Sequence, residues 1–440
     1  MDQLTARLLL YGDLGENAIL TRLSEVFTDW REGGCPKPVL IRRIYDQVKR
    51  LLDLATDYGF DRNLWQSYLT FLLMTNENSF SLITERVGAL EGSVNHFAKN
   101  DFEVFRTLFH FDFSPIEADL GIDCFSTLCR YEAISKHERR YNKAVSEKVQ
   151  SLSRALAEAA DADAFFRLVT EHYRLYGVGL LGLNKAFRIR SGPEGVELLP
   201  IYNTDKVMLR DLVGYEEQKR QLRENTEAFL AGRSCNNALL YGDAGTGKSS
   251  SVKALINEYY DQGLRMIEIY KHQFRDLSAV IARVKNRNYR FIVFIDDLSF
   301  EENEVEYKFL KAVIEGGVET RPDNVLLYAT SNRRNLIRET WKDRGDMELE
   351  NEVHRSDTLE EKLSLSARFG TRIHYSMPNR TQFTEIVRSL AARQGVDVPE
   401  AVLLAEANKW ELRHGGVSGR TAQQFVNYMA GKAPALPADL

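Results

Sequence analysis

Residues 238–250 read ALLYGDAGTGKSS, an apolar run that stops at Gly242 and passes into a glycine-studded loop. Gly242, Gly247, Lys248 and Ser249 stand at the G-x-x-x-x-G-K-[ST] spacing, directly after a strand pattern and ahead of a helical pattern that begins at Ser250. Glycines let successive backbone N–H groups turn inward around a phosphate chain. The Lys248 ammonium can then neutralise the outer phosphates, the Ser249 hydroxyl can ligate Mg²⁺, and the next helix offers its positive end. The candidate cradle is therefore Gly242, Asp243, Ala244, Gly245, Thr246, Gly247, Lys248, Ser249 and Ser250.

Two nearby patterns show what a weak match looks like. Tyr11-Gly12-Asp13-Leu14-Gly15 repeats the opening of the loop, but Glu16-Asn17 come next and bring no cation, so it reads as a turn at a helix start. Gly177-Val178-Gly179-Leu180-Leu181-Gly182 fits G-x-G-x-x-G, yet it comes after a helical stripe (Phe165, Leu168, Val169, Tyr173), whereas a dinucleotide fingerprint must come after a buried strand.

Outward from the loop, the apolar runs Ala238–Tyr241, Met266–Tyr270, Phe291–Ile295, Val325–Ala329 and Arg372–Tyr375 alternate with helical patterns, which predicts an α/β core with a parallel sheet flanked by helices. The run at Phe291–Ile295 ends in Asp296-Asp297. In P-loop ATPases such a strand lies beside the loop strand and its terminal acid holds the Mg²⁺ shell, which assigns that role to Asp296. Asp297 is placed to polarise an attacking water.

The region 1–185 repeats apolar positions at three and four and reads as an all-helical domain. In the helix after Pro38, the stripe is Ile41, Ile44, Tyr45, Val48, Leu51, Leu52 and Ala55. Residues 186–208 have the form of a hairpin around Pro193 and mark a junction; 209–377 make the nucleotide-binding core, 378–431 a helical lid started by Asn379, Pro399 and Ser418, and 432–440 a disordered tail.

Composition sets the outer limits. The 440 residues are 44% hydrophobic and 28% charged, ample for two or three cores. A net charge of −5 provides no global basic handle for nucleic acid or membrane. Four scattered cysteines (Cys35, Cys124, Cys129, Cys235) read as free thiols in a reducing compartment, and no run suits a membrane span, so a cytoplasmic location is expected.

With loop and acidic strand in hand, the order of elements resembles the AAA+ ATPase superfamily over residues 209–430. The resemblance implies ATP and Mg²⁺ as ligands. It implies that Val213 and Gly214 touch the adenine, that Asn332, closing the VLLYATSN strand, contacts the γ-phosphate and water, that Arg368 in LSARFG is an arginine finger, and that Arg420 in Ser-Gly-Arg is the sensor-2 arginine of the lid. A finger acting in trans implies a homo-oligomer. The strings NTEAFLAG, GTGKSS, DDLSFE, YATSNRR and EKLSLSARFG, with GVGLLGLNKAFR, look like a bacterial family of AAA+ ATPases catalogued as a domain of unknown function.

Some positions depart from the superfamily pattern. Most such strands end in Asp-Glu, while Asp296-Asp297 is one methylene shorter, so water is positioned by Asp297, by Glu301 or by no dedicated base, and slow hydrolysis is expected. The stretch between Ile269 and Phe274 reads Tyr270-Lys271-His272-Gln273 with no glycine, which weakens a protein-threading role. The basic cluster Lys285, Arg287 and Arg290 reads as a solvated helix end, and the charged stretch Glu339–Glu361 as an exposed insertion. Three functions stay open: an ATPase remodelling an unknown protein client held by the helical domain, a nucleic-acid-linked loader, and an ATP-sensing switch with little hydrolysis.

Overall fold

A computed structural model describes residues 1–133, 143–192, 195–300, 304, 306–315, 322–333, 336 and 365–432. Glu301, the stretch Glu339–Glu361 and residues 433–440 lie outside the described residues. The chain divides into two compact units, Met1–Asn184 and Lys185–Leu440.

Among its described residues the first unit is helical apart from one isolated β-bridge between Arg62 and Tyr131. Its helix Lys37–Tyr58 shows how the sequence builds it. Pro36 and Pro38 open the helix, where a missing N–H is harmless, and Gly59 at φ 66° closes it in the left-handed region. The buried stripe is Leu40, Ile44, Leu51, Ala55 and Tyr58. Tyr45 and Leu52, read from the sequence as part of that stripe, stay 49% and 36% exposed, because the apolar face is centred on the Leu40–Ile44–Leu51 line. Side-chain caps start other helices: Asn63 accepts from Gln66 N–H, Asn78 from Ser81 N–H and Asp161 from Ala164 N–H. The Gly177–Gly182 pattern begins at the C-cap of helix Ala162–Tyr176 and runs into helix Gly179–Leu183, with no strand before it.

The second unit holds a seven-stranded sheet: β1 (Ala186–Gly192), β2 (Gly195–Pro200), β3 (Ala238–Gly242), β4 (Leu264–Glu268), β5 (Arg290–Ile295), β6 (Val325–Ser331) and β7 (Thr371–Tyr375), in the spatial order β2-β1-β4-β5-β6-β3-β7. All neighbours are parallel except β1 and β2. β6 is buried at every position and β5 at all but Arg290, as expected of central strands covered on both faces.

Two expectations from the sequence do not hold. The acidic strand β5 does not lie beside the loop strand β3, since β6 pairs with both and separates them. Because the three strands are parallel, their C-terminal ends still open on the same side of the sheet, and one strand's width between them leaves room for a ligand. The β1–β2 hairpin, which starts just after the division at Asn184–Lys185, is also no free-standing linker but part of the sheet. β1 pairs in parallel with β4 (Phe187 opposite Ile267), which buries Phe187 and Ile189 and extends the sheet at its edge.

Smaller shifts have local causes: β4 ends at Glu268, and Lys271–Asp276 form a 3-10 turn. The lid consists of helices Arg380–Arg393, Glu400–Arg413 and Gly419–Lys432, so Lys432 is the last helical residue and not part of a tail. They pack around Phe383, Val387, Leu403, Ala422, Phe425 and Val426, with Val213 of the preceding segment against them. Asn379 caps the first through Gln382 N–H, and Ser418 accepts from Thr421 N–H at the start of the third.

Candidate functional site

The loop after β3 is shaped by close approach. A Cβ on Gly242 would lie 2.1 Å from the Tyr375 carbonyl oxygen, so only glycine lets the loop leave the sheet there. Asp243 then donates its N–H to Tyr375 O (3.0 Å) and accepts Met377 N–H on Oδ2 (2.8 Å). The helix Lys248–Tyr259 begins at Gly247, which has no side chain to cap it. Its first internal bond runs from Ser251 N–H to Gly247 O (2.8 Å), which leaves the N–H groups of Lys248, Ser249 and Ser250 as first-turn donors at the positive end of the helix dipole.

Lys248 is buried, with its three ammonium protons directed to Gly242 O (2.9 Å), Asp243 O (2.6 Å) and Asn332 Oδ1 (2.9 Å). Burial pushes its pKa below the usual lysine value, with Asp243, Asp297 and Asp296 opposing the shift and Arg420 adding to it.

The acids at the end of β5 are held by residues of β6 and of the helix. Asp296 Oδ1 accepts from Ser249 Oγ (2.5 Å) and from Thr330 Oγ1 (2.6 Å), and Lys253 Nζ stands 3.9 Å from Oδ2. Asp297 takes a left-handed backbone (φ 53°), a conformation that costs a residue with a Cβ about 1–3 kcal/mol and persists only where its surroundings impose it. Those surroundings are visible: Asp297 N–H donates to Thr330 Oγ1 (2.9 Å) and its carboxylate accepts from Asn332 Nδ2 (2.9 Å). Asn332 thus bridges Lys248 and Asp297.

These groups line one wall of a cleft of about 690 Å³. Gly245–Ser251, Asp296, Asp297 and Asn332 form its polar floor, Leu212, Val213, Tyr215, Ile386 and Leu390 its apolar end, and Gly419, Arg420, Gln423 and Gln424 its lid side. That volume and mix of an apolar slot with a few convergent polar groups suit a small-molecule ligand. The lid touches the loop directly, since Arg420 N–H donates to Gly245 O (3.3 Å).

Of the residues singled out in the sequence, Val213, Gly245, Thr246, Gly247, Lys248, Ser249, Ser250, Asp296, Asp297, Asn332 and Arg420 share this cleft. Gly214, Gly242, Asp243 and Ala244 do not line it: Gly214 backs onto Gln382, and Gly242 and Asp243 present their carbonyls to Lys248. Arg368 lies outside it, after the short helical turn 365–367.

Ser249 and Asp296 supply the hard oxygen donors that Mg²⁺ prefers. Among the described residues no three His, Cys, Asp or Glu gather as a metal site, so the rest of such a shell would come from phosphate oxygens and water.

Two features escaped the sequence reading. Thr330 carries a signal that could have been used, a hydroxyl within a strand otherwise apolar from Val325 to Ala329, where it must find a partner. Arg393 carries none; from the lid it reaches Asp211 O (3.1 Å) and stands 3.7 Å from Asp211 Oδ1, a contact made only by folding.

The chain is 41% identical over 68 residues to the replication factor C large subunit of Staphylothermus marinus, a match that spans 15% of this chain and 15% of that one. Among solved structures it is similar to the RuvB Holliday junction branch migration motor of Thermotoga maritima, with 17% identity, a TM-score of 0.36, and coverage of 51% of this chain and 64% of that one. It is also similar to the FIGL-1 AAA domain in complex with ADP, at 20% identity and a TM-score of 0.37 over 52% of this chain and 74% of that one. Among the described residues no helix is long and apolar enough to cross a membrane. A family model described as "Protein of unknown function (DUF815)" matches residues 183–433, and the chain belongs to that family.

Proposed function

We propose that the protein binds MgATP in this cleft and hydrolyses it to remodel a protein partner held by the helical unit. The observation that carries the reading is the hydrogen-bonded set Ser249–Asp296 and Lys248–Asn332–Asp297 at the mouth of a phosphate-binding loop. The adenine occupies the apolar end beside Val213, and the phosphates lie along the first-turn amides of the helix. Lys248 exchanges one of its present oxygen acceptors for a phosphate oxygen. Ser249 and Asp296 would hold Mg²⁺, which when bound would supply neutralisation of the charge that develops on the γ-phosphoryl group. Asp297 orients water, and Asn332 and Arg420 stabilise the transferred group. Arg368, outside its own cleft, completes the site of a neighbouring copy in a homo-oligomer.

The test is subunit mixing. Arg368→Ala and Asp296→Ala proteins should each lack hydrolysis, and their mixture should recover part of it, because each supplies what the other has lost. No recovery at any ratio refutes the shared site.

One observation favours a second reading, an ATP-sensing switch. The Asp297 carboxylate is short and already engaged by Asn332, so nucleotide could be held without being cleaved quickly. Binding without turnover at high enzyme concentration would select the switch, and salt-dependent stimulation of turnover by DNA would select a nucleic-acid-linked ATPase.

A further inference from the structure

Thr330 occupies a singular place in the cleft. It is 2% exposed on β6, and its one hydroxyl makes two different bonds at the end of β5: it donates to Asp296 Oδ1 (2.6 Å) and accepts the N–H of Asp297 (2.9 Å). A hydroxyl has one proton to give and lone pairs to receive, so these two bonds are compatible and use it fully. The carbonyl of the same residue accepts Leu298 N–H (2.7 Å). The turn at Asp296–Leu298 is therefore hung on Thr330 by side chain and backbone together. Ser249, the other hydroxyl on Asp296 Oδ1, comes from the first turn of the helix Lys248–Tyr259 and fixes only that one acid.

We propose that Thr330 is a positioning residue for both acids: its hydroxyl aims the Asp296 carboxylate at the metal position beside Ser249 and imposes the left-handed turn that sends Asp297 toward Asn332. The inference rests on the MgATP reading and adds to it that one side chain on β6 couples metal binding to water activation. Thr330 touches neither phosphate nor water in this assignment. It acts through the two acids, so its loss should leave nucleotide affinity without metal intact and damage what Mg²⁺ adds.

The experiment compares the full-length chain with its Thr330→Val and Thr330→Ser variants. Valine keeps the shape and removes the hydroxyl; serine keeps the hydroxyl. Three quantities are measured: the Kd of a fluorescent ADP analogue in EDTA and over a Mg²⁺ titration, kcat and KM for ATP, and the thermal midpoint. For T330V the expected result is an EDTA Kd within about twofold of wild type. Its Mg²⁺ half-saturation should rise, and kcat fall, by about 10- to 100-fold, the usual cost of losing a hydrogen bond that orients a metal ligand, with KM little changed. T330S should restore both to within about threefold.

Wild-type Mg²⁺ dependence and kcat in T330V would overturn the inference while leaving the ATP reading intact. T330S failing as badly as T330V, with an equal drop in thermal midpoint and in EDTA affinity, would also overturn it and make Thr330 a packing residue only. Absence of nucleotide uptake by wild type would remove the ATP reading, and this inference with it.

Discussion

Two segments of this chain open alike, Tyr11-Gly12-Asp13-Leu14-Gly15 in the helical unit and Tyr241-Gly242-Asp243-Ala244-Gly245 in the α/β unit. Around the first, the N–H groups of Leu9, Leu10 and Tyr11 donate to the buried carboxylate of Asp101 (3.0, 2.8 and 3.0 Å). The Tyr11 hydroxyl is bonded to Tyr173 at 2.7 Å inside the core. The protein supplies its own anion there, and the segment is finished. In the second, the loop carbonyls hold a lysine, and the next amides open a helix whose first turn has no side-chain cap. The shared residues set a turn; the residues after it and the elements packed against it decide whether that turn is structural or a site.

That contrast can be broken in three ways. Lys248→Ala should have the largest effect. It should weaken nucleotide binding by about 10- to 100-fold, the worth of a charged hydrogen bond of about 1.5–3 kcal/mol, and abolish turnover. Calorimetric titration with ATP checks it, and unchanged affinity would mean that the second loop is no more a phosphate site than the first. Next, Asp101→Asn should destabilise the helical unit by about 2–4 kcal/mol in chemical denaturation, since clustered buried amides lose the charge they share. Nucleotide affinity should not move; a matching loss there would show that the two loops do not act separately.

The smallest effect sharpens the comparison at a single glycine. Gly15 and Gly245 both have positive φ, 79° and 76°, but a Cβ on Gly15 meets nothing within 4 Å, whereas one on Gly245 would lie 3.1 Å from Ser418 Oγ and 3.2 Å from Arg420 Cβ. Gly15→Ala should therefore cost only the backbone strain of about 1–2 kcal/mol. Gly245→Ala should push the lid from the loop as well and weaken nucleotide binding by about tenfold. Equal nucleotide affinity in the two variants would refute the role given to the lid contact.

Much of the core was readable because its signals are local. A strand, a turn of glycines, a lysine and a helix start lie within residues 238–250, and each obeys a short-range rule. The apolar strand before Asp296 and the asparagine after β6 are equally local. The lid helices announced themselves through Asn379 and Ser418, whose caps act over three residues. The order of strands in space carries no such signal, which is why β6 was not expected between β3 and β5, and why the β1–β2 hairpin was read as a junction when its partner β4 lies far along the chain.

The chain order alone therefore determined which chemistry-bearing side chains exist and which local element carries each: Lys248 and Ser249 at a helix start, Asp296 and Asp297 at a strand end, Asn332 just past another. Only the tertiary structure decided that Thr330 should hold both acids, that Arg393 should tie the lid to Asp211, and that the amides near Tyr11 should be taken by a carboxylate 90 residues away. The physical reason is range. Backbone propensity, capping and glycine geometry act within a few residues. A buried polar atom instead takes whatever complementary partner packing brings near it, and no spacing along the chain states which one that will be.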